Sequence, residues 1–205
     1  APATIVAVAG SLALSLWALS SVIDDASAFE KWEPHPWLKV ADLDITIGIL
    51  MDPLTAIMLI VATSVSLMVQ VYSTGYMRDH DGKIDPGYAR YFAYMSLFTA
   101  SMVGLVLASN IIQLYVFWEL TTVLSFLLVG HYAERATSRR AAMQALLVTT
   151  AGGLSMLVGI IVLGTASGTY LLSELVAAPP TGIAVNVALP FLHAWARIRM
   201  DRGLE

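Results

Sequence analysis

The sequence contains no cysteine among its 205 residues and few charged side chains. Without thiols there can be no disulfide, no iron–sulfur ligation and no zinc–thiolate site. Charged residues make up 13% of the chain, against about 25% in ordinary soluble domains. Hydrophobic residues make up 58%, and the mean hydropathy is +0.74. The expected class is therefore a polytopic membrane protein and not a large soluble core. There is no Gly-rich phosphate loop, nucleophile elbow or metal-ligand spacing. No catalytic residue, metal, cofactor or nucleic-acid partner is expected. The start, Ala1-Pro2-Ala3-Thr4, has neither a basic leader nor an initiator Met, so it reads as a cut end and not as a signal peptide.

A bilayer core of about 30 Å takes about 20 apolar helical residues to cross. Five segments qualify, at roughly 3–23, 53–76, 89–108, 111–131 and 142–165. They predict an all-α helix bundle, a single membrane domain over 1–205. A sixth apolar segment, 183–196, is too short to span and contains Pro190, which predicts a broken or re-entrant piece. Asp52-Pro53 is a helix start, with Asp as N-cap and Pro where a missing N–H needs no partner. Ser109-Asn110 predicts a tight turn between the third and fourth helices, and Ser138 is a candidate cap for the fifth. Ser96, Ala100 and Gly104, and the pairs Ser155/Gly159 and Gly164/Gly168, place small residues where another backbone can come close.

The loop 24–52 is acidic and carries Trp32 and Trp37, which suit the headgroup level. Within it Leu43, Ile45, Ile47 and Ile49 alternate with Asp44, Thr46 and Gly48, the period of a short strand or half-hairpin. Basic residues sort two against nine across the predicted helices: Lys31 and Lys39 face the other nine. The positive-inside rule puts the nine, and the N-terminus, on the cytoplasmic or equivalent side. A bacterial plasma membrane is the expected location, with the lipid bilayer as the first partner.

One ionisable residue, Glu119, sits near the middle of an apolar span. Intramembrane carboxyls are costly and mark ion or proton pathways by default; the bland alternative is a protonated carboxyl hydrogen-bonded inside the bundle. Tyr115 and Thr122 share its face. His131, at the end of the same segment, is either a proton relay or an interfacial histidine bonding the last carbonyls. His193, in the broken segment, is the other candidate on a pathway. Gln113, Thr149 and Thr150 could hold water along a path, or equally make interhelical hydrogen bonds. His35 and His80 read as solvated loop residues, and the nine methionines as packing.

Several stretches resemble a known superfamily. They are Asp52-Pro-Leu-Thr-Ala-Ile-Met58, Arg90-Tyr-Phe-Ala-Tyr-Met-Ser-Leu-Phe98, Ser101-Met-Val-Gly-Leu-Val-Leu107, Tyr115-Val-Phe-Trp-Glu-Leu120 and Ser125-Phe-Leu-Leu-Val-Gly130. They are similar to the antiporter-like subunits of respiratory complex I, the distal subunit and its chloroplast-type form in particular, and to the large A subunit of Mrp-type sodium/proton antiporters. Trp118 to Phe126 and Leu146 to Leu154 look Mrp-like, whereas Asp52 to Val106 looks closer to the chloroplast-type subunit. The resemblance implies that Glu119 is the family's glutamate on a proton pathway, paired there with a lysine on a broken helix. Leu189-Pro-Phe-Leu-His-Ala-Trp195 echoes the motif that follows that lysine, but the lysine position holds Val185, and no Lys lies in any predicted span. The chain is accordingly expected to be the N-terminal part of a larger subunit.

The leading expectation is a proton-conducting subunit in monovalent cation/proton (Na+/H+) antiport, working with other membrane subunits of an Mrp-type or complex I-type assembly on protons and Na+. It would have no catalytic chemistry of its own. The alternatives are a proton-pumping membrane subunit of an NADH- or ferredoxin-quinone oxidoreductase, and a truncated, non-conducting scaffold.

Overall fold

The computed structural model describes residues 2–24, 35–40, 43–78 and 83–177. The expectations for 183–196, including His193 and Val185, lie outside the described residues. Among the described residues six helices and one hairpin run in the order α1 (Pro2–Asp24), β1 (His35–Val40), β2 (Leu43–Ile47), α2 (Pro53–Tyr76), α3 (Tyr88–Val106), α4 (Ile111–Val129), α5 (Ala136–Ser167) and α6 (Leu172–Ala177). Chain neighbours pack on one another: α1 on α2, α2 on α3, α3 on α4 and α4 on α5. Four helices, Pro2–Ile23, Pro53–Tyr76, Ile111–Val129 and Ala136–Ser167, are long and apolar enough to cross a membrane. The predicted third span is also a helix, α3, but Arg90 and the tyrosines at 88, 91 and 94 make it less apolar than those four.

The bundle buries polar side chains beside apolar ones such as Phe92 and Leu59, and leaves many large apolar ones outside. Leu14, Trp17, Val61, Val65, Met68, Leu120, Val123, Leu147 and Ile161 are exposed, as lipid contact demands, whereas Thr63, Gln70, Ser73, Ser101, Asn110 and Thr122 are buried. Helices in lipid gain little from burying apolar groups against each other, so seams are made of small and polar residues. Helical hydroxyls are satisfied locally. Ser15, Thr63, Ser73, Ser96, Ser101 and Ser125 each donate to the carbonyl four residues back, at 2.7–2.8 Å.

Local starts and stops follow the chemistry expected for α2 and α4. Asp52 Oδ1 accepts from the Thr55 N–H at 2.6 Å, with Pro53 opening α2. Asn110 Oδ1 accepts from the Ile112 N–H at 2.8 Å. The fifth helix corrects the sequence reading. It starts at Ala136, before the start that a Ser138 cap would give and well before the apolar span at 142, and the N-cap position is Arg135, with no side-chain cap bond. Ser138 lies inside the first turn, so it is not the cap. Arg139 holds this corner by donating to the Ala133 and Glu134 carbonyls, at 2.7 and 3.3 Å.

At two of the small residues the close neighbour differs from the expected backbone. A Cβ at Gly104 would strike the Phe117 ring, and one at Gly164 the Tyr170 ring, so at both positions the missing side chain admits an aromatic ring and not a backbone. Gly168 has φ +70° and ends α5 in the left-handed conformation. The short strand is a full hairpin, pairing His35 with Ile47 through Val40 with Leu43, with an irregularity between Pro36 and Leu38. A proline, which has no N–H to give the ladder, suits such a place.

Candidate functional site

The site is built on α4, which is clamped at its first turn. The Leu50 N–H donates to the Leu107 carbonyl at 3.0 Å, and the Gly48 N–H donates to Gln113 Oε1 at 3.2 Å. On the other side, the Ile111 N–H donates to the Tyr170 carbonyl (3.0 Å) and the Leu172 N–H to the Ser109 carbonyl (2.9 Å). Gln113, a candidate for a water path, is thus engaged with the backbone just after β2. These bonds fix the register of everything further along α4.

Glu119 follows eight residues after Ile111, about 12 Å along the axis. Its carboxyl is directed at α5, where Gly153 leaves the room for it; a Cβ at 153 would overlap Glu119 Oε1. That oxygen is buried and has no hydrogen-bond partner. Tyr115, one turn earlier, interacts with the carboxyl through its side chain. Among the described residues Glu119 forms no ion pair. An unpaired carboxylate in apolar surroundings is costly.

Thr122, next on the same face, is buried and bonds back toward the Trp118 carbonyl at 3.4 Å. It lines a cleft of about 530 Å³ together with Thr121, Ser125 and Thr149. The structure therefore joins Thr122 to Thr149 across α4 and α5. The Thr149 hydroxyl itself bonds back to the Ala145 and Leu146 carbonyls, at 2.7 and 3.1 Å. Glu119 and Thr150 are not in that lining.

His131 lies two residues past the end of α4, with Gly130 as C-cap, so it belongs to the turn and not to the helix as expected. It is buried, 7% exposed, and its Nδ1 has no partner. Nε2 stands 3.7 Å from Asp85 Oδ1, and the Tyr91 and Tyr132 rings meet the imidazole edge-on at 5.5 and 4.9 Å. Arg90 donates to the His131 carbonyl at 3.2 Å, and Asp85 Oδ1 also accepts from the Gly87 N–H at 2.6 Å. Burial, followed by the Asp85 carboxylate, pushes the Tyr132 phenol above its ordinary value. A cleft of about 470 Å³ opens beside this cluster, lined by Tyr76, Arg78, Lys83, Asp85, Tyr132 and Arg135. The structure thus places Glu119 and His131 at separate points along α4, one in mid-span and one at its exit.

Two residues of this arrangement had no functional reading in the sequence. Gly153 carried a signal, since glycine in a helix interior costs roughly 0.5–1 kcal/mol relative to alanine and calls for a reason. Asp85 carried none, because nothing local ties it to a histidine 46 positions away (131 − 85).

Comparison with known proteins bears on the same residues. Residues 37–92 match the family described as NADH-ubiquinone oxidoreductase (complex I), chain 5 N-terminus, and residues 108–196 match the one described as NADH:quinone oxidoreductase/Mrp antiporter, TM. The chloroplastic NAD(P)H-quinone oxidoreductase subunit 5 of Chaetosphaeridium globosum is 48% identical over 126 residues, covering 62% of this chain and 18% of that protein. NADH-quinone oxidoreductase subunit L of Neisseria meningitidis serogroup B is 42% identical over 157 residues, covering 77% of this chain and 23% of that protein. The chain thus spans about a fifth of the length of these relatives. In fold it is similar to a chain of the Mrp complex from Dietzia sp., with TM-score 0.71 and 19% identity over 95% of this chain and 34% of that one. It is likewise similar to a chain of an archaeal membrane-bound sulfane sulfur reductase, with TM-score 0.72 and 19% identity over 96% of this chain and 41% of that one. Apolar helices long enough to span, and matches to subunits of membrane complexes, make this an integral membrane protein. The two family matches, separated by residues 93–107, together cover most of the described bundle, and the chain belongs to the antiporter-like subunit superfamily of complex I and Mrp-type assemblies.

Proposed function

We propose that this chain is part of a proton-conducting membrane subunit in which Glu119 is the proton-loading group. The observation that carries the proposal is the Glu119 carboxyl, held in mid-span against Gly153 with one oxygen buried and unpartnered. Tyr115 orients the carboxyl, and the hydroxyls of Thr122 and Thr149 flank its level in the neighbouring cleft. His131, with Asp85 beside it, is the exchange point at the α4 exit, and His193 is a further pathway candidate from the sequence. The cation that this span lacks comes from elsewhere in the larger subunit or its assembly. The end of the bundle with Arg78, Lys83, Arg90 and Arg135 faces the cytoplasm or its equivalent.

Our reading of the driving reaction is monovalent cation/proton antiport, which the Mrp-like sequence from Trp118 to Phe126 and the similarity in fold to the Mrp complex support. The identities of 42–48% to quinone oxidoreductase subunits favour a second reading, a proton-pumping subunit of a complex I-type enzyme. Proton flux into vesicles holding the intact assembly, wild type against Glu119→Gln, tests the role of the carboxyl; equal flux in both would refute it. Sodium-dependent flux from an assembly free of flavin supports antiport, whereas co-purification with flavin and iron–sulfur subunits supports the second reading.

A further inference from the structure

The seam between α2 and α3 is built differently from the one that holds Glu119. Thr63, Ser66, Gln70 and Ser73 recur on α2 at spacings of three and four, so they form one stripe. Two contacts show that the stripe faces α3. The Ser73 and Tyr91 hydroxyls are 3.1 Å apart, and the Ser66 and Thr99 hydroxyls are also 3.1 Å apart. Gln70 lies between them. It is fully buried at 0% exposure, and neither its amide nitrogen nor its amide oxygen has a hydrogen-bond partner. The stripe runs about 15 Å, from Ser73 at the His131 end to the middle of α2. Tyr91 connects it to the turn, since its ring meets His131, which Asp85, Arg90 and Tyr132 also face.

We infer that the α2–α3 seam is a water-holding proton access path from the His131–Asp85 cluster to the middle of the membrane, separate from the seam that carries Glu119. A buried primary amide without partners costs free energy that only a polar guest recovers, and water fits where several polar groups converge. The flanking groups suit it. Thr63 and Ser73 already donate to the Leu59 and Val69 carbonyls, so the Thr63 oxygen is left to accept from water, and the Ser73 oxygen, which accepts from Tyr91, keeps one lone pair for it. The amide of Gln70 offers both donors and an acceptor. The stripe is neutral throughout, so protons would cross it by way of the water and not on a side chain. Its use for protons rests on the proposed function; its hydration does not.

These 205 residues hold no cysteine, so single cysteines placed in them are scored in the intact full-length assembly as the labelling added over the same assembly without them. A membrane-impermeant cationic methanethiosulfonate, added from the Arg78 side, should modify Gln70→Cys and Ser66→Cys at least about tenfold faster than the lipid-facing Met68→Cys, because only a hydrated thiol ionises. Rates at both positions no faster than Met68→Cys overturn the inference; Ser66→Cys alone decides it if Gln70→Cys does not assemble. Gln70→Met, which keeps the shape and removes the amide, should retain thermal stability and lower proton flux several-fold. Unchanged flux in that variant overturns the proton role. Labelling reads hydration whether or not Glu119 loads protons, so the two readings fail separately.

Discussion

The two polar seams of this bundle handle the same problem in opposite ways. Between α4 and α5 there is one carboxyl, fitted against a bare glycine and touched by a tyrosine. Between α2 and α3 there is no carboxyl on the stripe, only hydroxyls in pairs and one amide. A carboxyl can hold a proton but must be shielded when charged, so its surroundings have to be exact to the atom. A row of neutral groups holds no proton of its own and needs only continuity. The first seam should therefore be sensitive to the volume of one methyl group, and the second to the loss of polar atoms whatever their exact place.

The largest expected effect is at Glu119. Glu119→Gln keeps the volume and removes the ionisation, and proton flux in vesicles should fall to background. Labelling of Ser66→Cys in the same background should not change, which separates the two seams. Next is Gly153→Ala. The added methyl overlaps Glu119 Oε1, so the carboxyl must leave its place, and flux should fall by about tenfold, a barrier increase of roughly 1.4 kcal/mol. Gly75→Ala is the control. A Cβ there meets nothing within 4 Å, so the change should stabilise α2 by about 0.5–1 kcal/mol and leave flux unchanged. Equal flux in Gly153→Ala and Gly75→Ala would erase the proposed difference between the seams. A smaller effect is expected at Asn110. Asn110→Ala removes a buried cap bond, which costs about 1 kcal/mol and should lower the thermal midpoint while leaving the pH dependence of flux in place.

How much of this was legible in the sequence depends on how local each cause is. Spans α2 and α4 and the Asp52-Pro53 start were readable because length, hydropathy and capping act within a few residues. Glu119 was readable because a lone carboxyl in an apolar run is anomalous wherever its neighbours turn out to be. The start of α5 was misplaced because its first turns are polar, and a hydropathy window sees only the membrane part of a helix that extends beyond the bilayer. The α2–α3 stripe was not singled out, since serines and threonines in a span look alike whether they face lipid or a neighbour. Only the Ser66–Thr99 and Ser73–Tyr91 contacts reveal which. The Asp85–His131 approach needed tertiary structure outright.

The smallest effect expected lies where the two seams share an exit. Tyr132 sits outside the spans, against His131 and Asp85, with the Arg135 guanidinium 5.2 Å above its ring. Burial is the first cause that raises its phenol, the Asp85 carboxylate the second, and Arg135 opposes them. A folded-state value above the unfolded one, about 10, means that the neutral phenol is favoured by folding. The resulting stability is fully present below the unfolded value and is lost as pH rises through the folded one. In Tyr132→Phe that alkaline loss should disappear, and the ultraviolet absorbance change of ionising phenol should lose the component that Tyr132 contributes above the ordinary phenol range. Asp85→Asn should instead move that component to lower pH, because the carboxylate that opposes ionisation is gone. If Asp85→Asn left it in place, Asp85 would not be electrostatically coupled to Tyr132. The exit cluster would then have lost one of the links that join it to the mouth of the α2–α3 seam.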